Sequence, residues 1–127
     1  MTEMISSKPA SADPMSKFNM LDTKRAVEAL GSSDLFQIVA EEYYKSGQKT
    51  FDSIKESYDA EDWENYTIRV HALKSSSRQI GAMELGSMAE KLEKAGNEKD
   101  IEYIRANTED TLSVFGELLD KLSDIFD

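Results

Sequence analysis

Residues Ile101, Ile104, Thr108, Thr111, Phe115, Leu118, Leu122 and Ile125 follow one another at alternating intervals of three and four. That spacing puts a mostly apolar set on one stripe of an α-helix, and the stripe must be buried against other helices to be stable. Alternation of threes and fours is also the pattern of an antiparallel bundle seam. No β-branched alternating run and no Asn-Gly hairpin signal occurs. The chain is therefore expected to be all-α.

The same reading extends upstream. Asp22 caps a short helix to Leu30, and Gly31 suits its C-terminal stop. Ser33 is expected to cap a longer helix, with Phe36, Val39, Ala40, Tyr43, Phe51, Ile54 and Tyr58 on its buried stripe and a kink at Gly47. A polar break over 59–62 leads into a helix from about Glu61 to Ile80, ended by Gly81. The next, from about Ala82 to Lys94, buries Leu85, Met88, Ala89 and Leu92 and stops at Ala95-Gly96-Asn97. Short loops between amphipathic helices predict an up-down-up-down antiparallel four-helix bundle with a short extra N-terminal helix. Residues 1–17 carry both prolines and are small and polar; they read as a flexible tail or linker ahead of the bundle at 18–127.

At 127 residues one domain with a sizeable core is expected. The absence of cysteine excludes disulfides and thiolate metal sites and fits a reducing cytoplasm. No apolar run approaches the roughly 20 residues needed to cross a bilayer, and the N-terminus lacks the apolar stretch of a signal peptide. A cytoplasmic monomer is expected. Lys and Arg number 15 against 25 Asp and Glu, a formal net charge of −10, which argues against nucleic acid and anionic membranes as partners.

The only histidine, His71, lies in the third of these long-range patterns. At about 100° per residue, Trp63, Tyr66, Val70, Leu73, Ser77 and Ile80 share the core face, and His71 falls well off it. Imidazole titrates near pH 6.5, so an exposed ring is mostly the neutral nucleophile at neutral pH, suited to attack on a phosphoryl group. Lys74, one turn away, can neutralise phosphoryl oxygens, and Ser75, also one turn away, presents little bulk and a hydroxyl donor. Arg78 either extends the positive patch or is simply solvated. Gln79 and Glu93 read as helix-surface or bundle-capping residues. Ile68 reads equally as a docking contact and as an ordinary exposed apolar residue.

The string His71-Ala72-Leu73-Lys74-Ser75-Ser76-Ser77, followed by Gly81-Ala82, resembles the signature of histidine-containing phosphotransfer (HPt) domains. Residues 21–31 with Asp34-Leu35-Phe36 are similar to the family's short first helix and the opening of its second. Leu85, Met88, Ala89, Leu92 and Glu93 resemble the helix after the histidine. The resemblance covers about residues 18–126 and implies that His71 is the phosphoacceptor, assisted by Lys74. It implies partners as well: receiver domains of response regulators, or a hybrid histidine kinase, with Mg²⁺ held by the receiver and no cofactor bound by this chain. Many family members have glycine where Ser75 stands here. Without a Gly-rich phosphate loop the chain is expected to carry phosphate with no ATP site of its own.

Two other classes compete with this one. An interaction-only helical bundle keeps the fold without phosphate, and the histidine–lysine pair weighs against it. A metal site fails because one histidine and no cysteine leave only scattered carboxylates.

Overall fold

The computed structural model describes residues 21–127, so the tail expected over 1–17 lies outside the described residues. Among the described residues there are five helices and no strand: α1 Thr23–Leu30, α2 Ser33–Asp59, α3 Trp63–Gln79, α4 Met83–Glu98 and α5 Ile101–Phe126.

Side-chain chemistry sets most helix starts. Asp22, Asp62 and Asp100 each accept a hydrogen bond from the backbone N–H three residues on, satisfying a donor the helix itself leaves unpaired. The cap of α2 is Ser32, not Ser33. Ser32 is the extended residue, with φ −162°, and its hydroxyl accepts from the Leu35 N–H at 3.0 Å. α3 begins at Trp63 instead of Glu61, because Glu61 sits at φ 56° and no right-handed helix contains such a residue.

Two glycines differ from their expected roles. α2 runs unbroken through Gly47, where a Cβ would lie 2.3 Å from Leu119 Cδ2; the missing side chain seats α5. α4 likewise continues past Gly96 to Glu98, and Lys99 takes the left-handed cap at φ 57°. Gly81 does end α3 as expected. Its φ is +87°, and its carbonyl accepts the Asp22 N–H at 2.7 Å, tying α1 to the α3–α4 loop.

α2 packs on α3, α3 on α4, α4 on α5 and α5 back on α2, with α1 across α2 and α3. This closed ring of helices is a bundle. Phe36, Ile54, Tyr66, Leu73, Leu92, Phe115 and Leu118 are fully buried in it, each burial stabilising by about 1.5–3 kcal/mol relative to exposure. Phe115 meets the rings of Tyr43 and Phe51 at 5.9 and 6.0 Å between centroids. Polar groups in the core are paired: Tyr43 with Ser77 at 2.9 Å, and Tyr66 with Thr108. Burial pushes the Tyr66 phenol up to about 12, against the opposing hydrogen bond to Thr108.

Candidate functional site

The core face read from the sequence is the one α3 uses. Tyr66, Val70, Leu73 and Ser77 are buried, Ile80 just beyond the helix is buried too, and Trp63 is half-buried against Tyr58 and Tyr66. His71 therefore points outward, its side chain 55% exposed.

What the sequence did not reveal is the partner across α4. Glu93 Oε2 lies 2.6 Å from His71 Nδ1, and Glu93 Oε1 lies 2.7 Å from Lys74 Nζ. One carboxylate thus bridges both side chains of α3 by way of its two oxygens. A carboxylate accepts hydrogen bonds only, so the geometry puts a proton on Nδ1 and, in the neutral ring, leaves Nε2 with the free lone pair on a side chain that is more than half exposed. Partial burial on its own raises the Glu93 carboxyl. The hydrogen bonds from Lys74 and His71 and their charges outweigh that, and the net direction is down.

Close approach of the two helices makes this bridge reachable. A Cβ on Gly96 would lie 2.0 Å from Thr67 Oγ1, and one on Gly86 would lie 2.7 Å from the Arg78 stem. Ala89, fully buried, stands between them on the same side of α4. Small residues let the helix backbones come together, and Glu93 then needs no long reach to touch α3.

The expected positive patch is neutralised. Lys74 is committed to Glu93, and its side chain is only 20% exposed. Arg78 folds over Gly86 and pairs with Glu90 at 2.8 Å, away from His71. Ser75 is exposed, one turn from His71 on the outward face, as its spacing predicts. Glu93, read from sequence as a surface or capping residue, is instead the link between His71 and Lys74. A signal for it existed in that it follows the core position Leu92, but the rotation of α4 that aims it at α3 is not written in any local pattern.

On its other side α3 borders a groove of about 610 Å³ shared with α2, whose lining includes Ile38, Val39, Tyr43, Ala72, Ser76 and Gln79. Ile38 is 63% exposed at its edge, and Leu35 on α2 and Ile68 on α3 are exposed too. Among the described residues no group of His, Asp or Glu is arranged to hold a metal, and no helix is long and apolar enough to cross a membrane.

The family model described as Hpt domain matches residues 39–125, which takes in most of α2, all of α3 and α4, and nearly all of α5. Neither the comparison with curated proteins nor that with solved structures returns a match.

Proposed function

The chain belongs to the Hpt domain family, whose members are phosphocarrier modules of two-component signalling, and on that premise we propose that His71 is its phosphoacceptor. The carrying observation is the bridge from Glu93 to Nδ1. A ring held by Nδ1–H offers Nε2 alone as nucleophile and keeps it aimed at solvent, where a partner's aspartyl phosphate can reach it.

In the proposed step the Nε2 lone pair forms the bond to phosphorus as the bond from phosphorus to the aspartyl oxygen breaks. The aspartate leaves as a carboxylate with the bonding electrons. The ring gains positive charge, which the Glu93 carboxylate offsets through the Nδ1–H hydrogen bond. Lys74 turns from Glu93 towards the phosphoryl oxygens, and Ser75 leaves the approach open because its side chain is small. Transfer onward to a second receiver reverses these bond changes. Hpt domains interact with receiver domains and kinases. Here the receiver would cover the outward face of α3 and reach the apolar edge at Ile68, Leu35 and Ile38.

The same reading takes the bundle as up-down-up-down, supported by the short connections at 60–62, 80–82 and 99–100. It takes the chain as a cytoplasmic monomer with no cofactor of its own, Mg²⁺ being held by the receiver.

The test is phosphotransfer from receivers loaded with acetyl phosphate. Wild type is expected to acquire label that is labile in acid and stable in base, and His71→Gln is expected to acquire none while melting within about 0.5 kcal/mol of wild type. Label on His71→Gln at the wild-type level would overturn the assignment. Binding of receivers with no transfer would leave the bundle as an interaction module.

A further inference from the structure

We propose that the Ser75 hydroxyl donates a hydrogen bond to the phosphoryl group carried on Nε2 of His71. This rests on His71 being the phosphoacceptor.

Many serines and threonines in these helices spend their hydroxyls on the backbone or on a tyrosine phenol, while Thr23, Ser33, Ser53, Ser87 and Ser113, none of them on the His71 helix, make no side-chain hydrogen bond among the described residues. Ser46, Ser57, Thr50, Thr67 and Thr111 each donate to the carbonyl four residues back. In the same run as Ser75, Ser76 donates to the Leu73 carbonyl and Ser77 pairs with the buried Tyr43 phenol. Ser75 makes no side-chain hydrogen bond among the described residues, although the same backward bond is the ordinary habit of a helical serine. The residue is exposed, and its hydroxyl is uncommitted among the described residues.

Position then decides what it can serve. Helical side chains lean towards the N-terminus, so Ser75 covers the turn that carries His71. The imidazole is drawn by Nδ1 to the α4 side, where Glu93 also holds Lys74 and Glu90 holds Arg78. Lys74 and Arg78 are therefore paired before any phosphoryl group arrives. One turn on from His71, Ser75 offers a donor that has no side-chain partner among the described residues. A phosphoryl dianion on Nε2 presents three strong acceptor oxygens, and an O–H donor one turn away can meet one of them without giving up an existing partner. Glycine at this position leaves the approach open but offers no donor; serine does both.

Phosphoramidate, a small phosphoryl donor to histidine, is the probe, so no receiver is needed. The full chain and its Ser75→Ala and Ser75→Thr variants are loaded, the phosphorylated nitrogen is identified by NMR, and the phosphorus resonance is followed through a pH titration. Lys74, Arg78, Glu90 and Glu93 are unchanged in all three proteins. A donor to the dianion makes its protonation to the monoanion harder. Ser75→Ala is therefore expected to take up that proton at a pH about one unit higher, a tenfold weaker hold on the dianion, and Ser75→Thr to stay near wild type. An unchanged titration in Ser75→Ala, or a Ser75→Thr shift as large as that of Ser75→Ala, would overturn the hydroxyl's role while leaving His71 in place. Phosphate appearing on a residue other than His71 would overturn both readings.

Discussion

The carboxylate of Glu93 gives the residue scale its sharpest handle. Its folded-state protonation range is depressed by Lys74 and His71, so it contributes stability that is fully present above the ordinary glutamate value of about 4.3. That contribution is lost as pH falls through the depressed value. Glu93→Gln should flatten the acid limb of a melting series taken from pH 7 to pH 3. It should also slow phosphotransfer about tenfold at neutral pH, since the amide still accepts from Nδ1–H but cannot offset the ring's positive charge. Equal rates and equal acid sensitivity in both proteins would make Glu93 a surface residue after all. At this scale the sequence was half legible. The outward placement of His71 and Ser75 follows from helical spacing alone, because spacing fixes direction around one axis. The commitments of Lys74 to Glu93 and of Arg78 to Glu90 depend on a second axis and on how far the first stands from it, and neither quantity is local.

Helix boundaries were legible wherever capping chemistry was unambiguous, as at Asp22 and Gly31. They were not where two chemically equivalent residues adjoin, as at Ser32 and Ser33, and where glycine serves proximity. Gly96 reads in sequence as a stop and in space as a contact with Thr67. This separates two expectations for Gly96→Ala. Helix propensity alone favours alanine by about 0.8–1 kcal/mol. The close approach instead requires Thr67 or the α4 backbone to yield, at a typical cost of about 1–3 kcal/mol. Thr67 is stiff at χ1, and its hydroxyl already donates to the Trp63 carbonyl at 2.7 Å. Gly96→Ala is therefore expected to lower the urea midpoint and, by moving α4 away from α3, to slow transfer. A raised midpoint would show that the two helices do not need this glycine.

For the molecule as a whole, the alternation of threes and fours along α5 correctly marked its buried face, with Leu112 and Leu119 widening the stripe. Phe115 stands at the middle of that face and is 1% exposed, so Phe115→Ala should cost about 3–5 kcal/mol in chemical denaturation. A loss under 1 kcal/mol would mean the site collapses around the cavity. The ring of helices also offers the relay one histidine, on one helix, with one nitrogen turned outward. On the proposed reading, a donor receiver seated over that nitrogen occupies the place its successor needs. The two partners cannot meet on this protein. Each must leave before the other arrives, so the traffic is ping-pong, and between visits the message exists only as a covalent bond to His71.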